Sequence, residues 1–217
     1  MTRQETLRFS YFFHFLVSNS IRLHVIEVEG EVKTMPYTGL YDYQRYLQGD
    51  KSALDALVRT YSDALIRYAY CYLRDSATAE DIMEETFATL IVRRKHFSDE
   101  SHFHAYLYKV ARNKSIDYIR RHMKTLPLGD FDEILAETNL EDSVMKQDRN
   151  RMIYRCLEEL TPQYRDVLYL NYIEGFSLEE VCRIMKKNKK QVYNLLSRAK
   201  VALKEILIKE GITHEDI

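Results

Sequence analysis

The sequence predicts an all-α protein in which two small helical domains are joined by a flexible acidic linker. Helix-forming residues dominate the 217 positions, among which there are only six glycines and three prolines. Apolar residues recur with helical spacing in a first domain, 38–123, and in a second domain, 151–210. Residues 124–150 break that spacing and carry seven carboxylates, which is typical of a linker rather than of a packed core.

Residues 1–37 form an N-terminal extension that lacks helical periodicity. Its apolar run FSYFFHFLV (9–17) is shorter than the roughly 20 residues that span a bilayer. The run resembles a signal peptide only weakly, because no cleavage site of small residues follows it. The segment is either a real extension or an upstream mis-start, with Met35 as the alternative start.

In the first domain, capping residues and polar breaks separate the amphipathic helices. Asp50 precedes the helix LDALVRTYSDAL and is its expected N-cap. The break RDSATAED precedes IMEETFATLIVRRK, and the cap there is Asp75, Ser76 or the pair Thr78 and Asp81 at capping-box spacing. The polar stretch KHFSDESHFH separates this helix from the next, AYLYKVARNKSIDYIRRH.

In the second domain, the helical segments are short and closely spaced. Ser177 and Glu180, at capping-box spacing, open one helix. Residues 186–188 separate it from a last helix that runs over about 189–208. Two helices joined by so short a turn form a helix-turn-helix pattern.

Charge is nearly balanced, with a formal net charge of −1, but it is unevenly distributed along the chain. The segment from Val181 through Lys204 contains eight Lys or Arg and no Asp or Glu. Lys189 and Lys190 oppose the dipole at the start of the last helix, which costs some tenths of a kcal/mol each. That cost is tolerable among phosphates, and a recognition helix enters the major groove with its N-terminus first. The pattern therefore predicts DNA binding, against the alternative of a solvated basic face.

Two stretches taken together point to a family. DSATAEDIMEETF followed by YLYKVARNKSIDYIRR resembles region two of bacterial sigma factors of the extracytoplasmic-function (ECF) type. LTPQYRDVLYLNYIEGFSLEEVCRIMKKNKKQVYNLLSRAKVAL resembles their region four, and the resemblance covers about residues 41–205. It implies a region-two domain (38–123) that binds core RNA polymerase and the minus-ten element, and a region-four domain (151–210) that binds the minus-thirty-five element.

The resemblance also implies which side chains take part. Asp81, Glu84 and Glu85 match the family's polymerase-docking helix, and their spacing places three carboxylates on one face. Without the resemblance, a solvated acidic face is the simpler interpretation. The residues implied to bind the minus-ten element are Lys109, Arg112, Asn113, Lys114, Arg120 and Arg121.

Aromatic side chains near that helix could support single-stranded bases, although core packing is the better explanation for at least two of them. These aromatic residues are Phe97, Phe103, Tyr106 and Tyr108. The residues implied to bind the minus-thirty-five element are Lys189, Lys190, Gln191, Tyr193, Asn194, Ser197 and Arg198. The two lysines are expected to contact phosphate, and Gln191 and Asn194 to read adenine edges.

The sequence departs from the family pattern at positions that bear on promoter choice. Tyr106 stands where tryptophan is usual, and Lys186 occupies the turn position that usually holds glycine. A non-glycine residue in a left-handed turn costs about 1 kcal/mol or more, so an altered turn is expected. Lys190, Gln191 and Leu195 also differ from the usual residues, so the promoter sequence does not follow from that of relatives.

Other kinds of site find little support. His96, His102 and His104 are too loosely spaced to predict a metal, and the chain contains neither a phosphate-binding glycine loop nor a GxSxG motif. The three cysteines lie far apart in apolar-periodic segments, as expected for buried thiols in a reducing cytosol. We therefore expect a protein that is not an enzyme and needs no cofactor, metal or small-molecule substrate.

The predicted function is to bind core RNA polymerase and direct it to promoter DNA in the cytoplasm. Its expected regulator is an anti-sigma factor, which a membrane could anchor. The alternative is a stand-alone helix-turn-helix regulator whose first domain is a sensor or dimerisation domain. The C-terminal pattern fits both, but a sensor domain would not need AEDIMEE and VARNKSIDYIRR at this spacing.

Overall fold

The structure is a computed structural model that describes residues 39–122 and 155–210. Every regular element in these two ranges is helical, so the all-α prediction is confirmed. The predictions of an N-terminal extension, of a start at Met35 and of an acidic linker concern residues outside these ranges. The predicted domain boundaries at 123 and 151 lie outside them as well and stay predictions.

Short connections join the described helices within each range. The helices are α1 (Gly39–Leu47), α2 (Lys51–Leu73), α3 (Ser76–Arg93), α4 (Glu100–His122), α5 (Pro162–Leu168), α6 (Leu178–Met185) and α7 (Lys189–Lys209). A π-helical segment, Tyr169–Ile173, continues α5, and a helical turn at 155–158 precedes it. The described residues divide into two compact units, of which the first contains residues 39–122 and 177–189 and the second contains residues 155–176 and 190–210.

Carboxylates cap three helices of the first unit. Asp50 accepts a hydrogen bond from the backbone N–H of Ser52 at 3.0 Å and so caps α2, as predicted. Of the alternatives at the start of α3, Asp75 is the cap, because it accepts from the N–H of Thr78 at 2.7 Å. Asp99, which the sequence pattern does not identify, accepts from the N–H three residues later at 2.9 Å and caps α4. These bonds define where α3 and α4 begin.

Aromatic side chains dominate the core of the first unit. Tyr43, Tyr68, Phe103 and Tyr108 are almost completely buried. The rings of Tyr43 and Phe103 stack with centroids 5.4 Å apart, and those of Tyr68 and Tyr108 lie 5.2 Å apart. Through these contacts α1 and α2 pack against α4 and hold it in place.

Glu100 links three helices by hydrogen bonds at the start of α4. One carboxylate oxygen accepts from the N–H of Leu40 at 2.9 Å, and the other accepts from the hydroxyl of Tyr61 at 3.3 Å. Gly39 lies directly against Tyr61, since a Cβ atom at this position would be 2.2 Å from the hydroxyl oxygen. The close approach of α1 to α2 therefore depends on a residue without a side chain.

A buried arginine completes the helical turn at 155–158 in the second unit. Arg165 donates from Nε to the carbonyl of Leu157, and from Nη2 to the carbonyls of Glu158 and Leu160, at 2.9, 2.9 and 3.1 Å. Carbonyls at a helix end have no partner within the helix, and their burial without one is costly. The guanidinium of Arg165 therefore anchors this turn to α5.

The helix α6 ends in a left-handed residue. Lys186 has φ 54° and ψ 43°, and its N–H donates to the carbonyl of Cys182. The expectation of an altered turn is wrong, because the lysine itself adopts the conformation that glycine would take. Arg74 and Arg94 end α2 and α3 in the same way. A cation at a helix C-terminus interacts favourably with the dipole, which offsets part of the strain.

Candidate functional site

One face of α3 presents three carboxylates to the solvent. Asp81, Glu84 and Glu85 are all exposed, whereas Ile82 and Phe87 on the same helix are buried. The helix thus has a packed side and an acidic side, as its spacing predicts. This placement leaves the three carboxylates accessible to a basic partner surface.

An ion pair joins two of the predicted sites. The Nζ atom of Lys114 on α4 lies 2.6 Å from Oε2 of Glu85 on α3. The side chain of Glu85 is 59% exposed and that of Lys114 is 27% exposed. A polymerase-binding candidate and a minus-ten candidate therefore contact each other, a relationship that the two separate motifs do not indicate.

The other members of the predicted minus-ten set lie along α4 and differ in exposure. Three are half-buried and two near the C-terminal end are exposed: Lys109, Arg112 and Asn113, then Arg120 and Arg121. Burial lowers the pKa of Lys109, and the charges of Lys186 and Lys95 lower it further. Several cations therefore lie close together at this point of the unit, which favours an anionic partner.

Core packing accounts for two of the four aromatic candidates, as expected. Phe103 and Tyr108 are completely buried, so a base cannot reach their faces. Phe97 and Tyr106 are partly accessible, with ring centroids 5.1 Å apart. The ammonium of Lys95 lies over both rings, 5.5 Å and 5.1 Å from their centroids. Lys95 is not among the predicted residues. Its position in the sequence KHF, two residues before Phe97, could have indicated a cation beside that ring.

The predicted minus-thirty-five residues are all exposed on α7. They are Lys189, Lys190, Gln191, Tyr193, Asn194, Ser197 and Arg198. Val192, Ala199 and Leu203, which are among the apolar residues that recur with helical spacing in the second domain, are buried. The helix therefore has one side that packs and another that offers basic, amide and hydroxyl groups.

A carboxylate in α6 contacts the first lysine of α7. Ser177 and Glu180 form the predicted capping box at the start of α6, and the adjacent Glu179 is exposed. Oε1 of Glu179 accepts a hydrogen bond from Nζ of Lys189 at 2.7 Å, which lowers the pKa of Glu179 and raises that of Lys189. The sequence does not identify Glu179 as a site residue, because ten positions separate it from Lys189.

Two of the three candidate histidines take part in local structure. The Nδ1 atom of His102 lies 2.8 Å and 2.7 Å from the carboxylate oxygens of Asp99. His104 packs against the rings of Tyr61 and Tyr108, and burial lowers its pKa to about 4. In the described ranges 39–122 and 155–210, no group of three or more His, Cys, Asp or Glu is arranged to hold a metal ion. The helices in those ranges include none with the length and hydropathy of a membrane span.

Models of two domain families match the chain, one after the other. The sigma-70 region 2 model matches residues 57–125, and the sigma-70 region 4 model matches residues 150–203. The two matches together span more than half of the chain and contain every candidate site residue.

Relatives of known class agree with these matches. The ECF RNA polymerase sigma factor BldN of Streptomyces coelicolor is 31% identical over 76% of this chain and 64% of its own length. The ECF RNA polymerase sigma factor SigM of Bacillus subtilis is 28% identical over 75% of this chain and 99% of its own length. The chain thus spans just under two thirds of BldN and nearly all of SigM.

A solved structure shares the fold. It contains the sigma factor RpoE in complex with the anti-sigma factor NepR from Bartonella quintana, and it superposes with a TM-score of 0.55 at 21% identity. The superposition covers 70% of this chain and 95% of that chain. With two sigma regions matched in order and both of these relatives named as ECF sigma factors, the chain belongs to the ECF RNA polymerase sigma factors.

Proposed function

We propose that this chain binds core RNA polymerase reversibly and directs it to a small set of promoters. The observation that carries the proposal is the acidic face of α3, where Asp81, Glu84 and Glu85 are exposed within the region 2 match. These carboxylates suit a partner surface rich in Lys and Arg, and such complementarity favours both specificity and fast association.

Promoter contacts belong to α4 and α7 in this proposal. On α7, Lys190 is a phosphate ligand, and Gln191 and Asn194 offer amide groups that match adenine edges in the major groove. Just before and within α4, the partly accessible rings of Phe97 and Tyr106 suit a single-stranded base, which stacks on aromatic faces. The two surfaces then read different parts of one promoter.

The chain contributes recognition, and the polymerase contributes catalysis. We place the chain in the cytoplasm with the polymerase and assign it an anti-sigma factor as regulator, with support from the RpoE–NepR complex. A formal net charge of −1 predicts weak DNA binding by the free chain. Polymerase therefore supplies much of the affinity for the promoter.

Size-exclusion chromatography with bacterial core RNA polymerase tests this proposal. The wild-type chain is run beside a variant that carries Asp81→Asn, Glu84→Gln and Glu85→Gln, which removes three charges and keeps the side-chain shapes. A control variant, Asp55→Asn with Asp63→Asn, removes exposed charges from α2. We expect wild type and control to co-elute with polymerase and the triple variant to co-elute less. A folded wild-type chain, free of bound inhibitor, that does not co-elute overturns the proposal and favours the stand-alone regulator.

A further inference from the structure

The contact between Lys114 and Glu85 joins surfaces that are assigned to different partners. Nζ donates to Oε2 at 2.6 Å, from α4 to α3. With side chains 27% and 59% exposed, both groups remain accessible to water. An exposed ion pair of this kind shifts an equilibrium by no more than about fivefold, so a competing charge can displace either member.

Two cations compete for the single negative charge of Glu85, because a carboxylate that is already paired attracts a second cation less strongly. A basic surface that approaches the acidic face of α3 attracts the same carboxylate that holds Lys114. The Lys114 side chain is largely covered, which limits the range over which its ammonium can follow. Once the carboxylate turns to another partner, the ammonium loses its counter-ion and becomes a stronger phosphate ligand.

We propose that the Glu85–Lys114 ion pair couples polymerase binding to minus-ten binding. In the free chain Glu85 holds Lys114, and capture of Glu85 by polymerase releases the Lys114 ammonium to the DNA backbone. The coupling is reciprocal, because a DNA phosphate that binds the Lys114 ammonium leaves Glu85 available to polymerase. Lys114 thus competes with polymerase for Glu85 and is also a DNA ligand, and this inference rests on the proposed function.

Titration of core RNA polymerase with the labelled full-length chain tests the polymerase side. Lys114→Gln should bind about two- to fivefold tighter than wild type, because Glu85 is no longer engaged. In a Glu85→Gln background, the same substitution should have no effect. Lys51→Gln, at an exposed position on α2, controls for the change in net charge.

Titration with a single-stranded minus-ten oligonucleotide tests the DNA side without polymerase. Glu85→Gln should tighten binding and steepen the dependence of log K on log salt by about 0.7, because one more ammonium meets the strand. Asp55→Asn makes the same change in net charge on α2 and should leave the slope unchanged.

Two results overturn the coupling in a chain that binds polymerase. If Lys114→Gln weakens polymerase binding, the lysine orients Glu85 for polymerase and does not compete for it. If Lys114→Gln changes the affinity for polymerase no more than Lys51→Gln does, the ion pair has no influence on polymerase binding. A wild-type chain that fails to bind polymerase refutes the proposed function instead. The oligonucleotide titration still tests the ion pair in that case, because an unchanged slope of log K against log salt in Glu85→Gln refutes the release of Lys114.

Discussion

The Nζ atom of Lys189, the first residue of α7, lies 2.7 Å from Oε1 of Glu179 in the first turn of α6. The contact explains how positive charge is tolerated at the N-terminus of α7, where the helix dipole disfavours it. The neighbouring Lys190 is also exposed, but no carboxylate of the described ranges pairs with it. The two lysines are therefore not equivalent, although the sequence presents them side by side.

This difference predicts unequal contributions to promoter binding. Lys190→Ala should weaken binding and reduce the slope of log K against log salt by about 1, as loss of one phosphate contact does. Lys189→Ala should reduce the slope less, because Glu179 already holds its ammonium. The measurement is fluorescence anisotropy of a minus-thirty-five duplex with the polymerase holoenzyme over a range of salt concentrations.

Removal of the carboxylate provides the reverse test. Glu179→Gln should release Lys189 and steepen the dependence of log K for promoter binding on log salt. Glu205→Gln, at an exposed position on α7, should leave this dependence unchanged. Equal slopes for the two lysine variants, or an unchanged slope in Glu179→Gln, would contradict the interpretation of the contact.

A second prediction concerns the stability of the second unit. Arg165→Lys should lower the free energy of unfolding by about 2–3 kcal/mol, because the three carbonyls are reached from two separate guanidinium nitrogens, Nε and Nη2, and the single nitrogen of an ammonium cannot take both positions. Urea unfolding followed by circular dichroism measures the change. Arg155→Lys, at an exposed position on the preceding helical turn, is the matched control and should have little effect. Similar midpoints for the two variants would show that the buried hydrogen bonds contribute little.

The features that the sequence predicts correctly depend on near neighbours along the chain. Asp50 and the Ser177–Glu180 capping box act within three residues, and the apolar period of α7 follows from helix geometry alone. The acidic face of α3 is predictable for the same reason. Rules that use only near neighbours along the chain therefore predict the helices and their exposed faces.

The missed features depend on contacts between segments. Nothing in the motif around Lys114 indicates that a carboxylate 29 positions away lies against it. Arg165 reads as an ordinary charged residue of a short helix, and only its burial against three carbonyls reveals its role. Residue type alone predicts an altered turn at Lys186, but the dipole of α6 favours a cation at that helix end, and the lysine adopts the left-handed conformation there.

A third prediction concerns pH. The pKa of His104 is about 4 in the folded chain, below its usual value of 6.5, because burial disfavours the charged ring, and the nearby Glu180 offsets this in part. The unfolded chain therefore binds the proton first as pH falls. The contribution of His104 to the free energy of unfolding should be fully present above pH 6.5. It should decrease as the pH falls from about 6.5 to about 4, by at most about 1.4 kcal/mol per pH unit.

Thermal unfolding across this pH range checks the prediction with two variants. His104→Gln should flatten the decline between pH 6.5 and pH 4, because the uncharged amide binds no proton there. His96→Gln, at an exposed position, should leave the decline as in wild type. An identical pH profile for wild type and His104→Gln would assign the acid sensitivity to other groups.

The last prediction concerns the strained turn after α6. Lys186 has a φ of 54°, and a side chain in this conformation costs about 1 kcal/mol relative to glycine. Lys186→Ala keeps the strain and loses the favourable interaction of the ammonium with the helix dipole, so it should destabilise the chain. Lys186→Gly loses the same interaction but relieves the strain, so it should be more stable than the alanine variant by about 1 kcal/mol. The difference in urea midpoint between these two variants reports the cost of the left-handed backbone conformation, because both variants lack the lysine charge. An alanine variant as stable as the glycine variant would mean that residue 186 is not left-handed in solution.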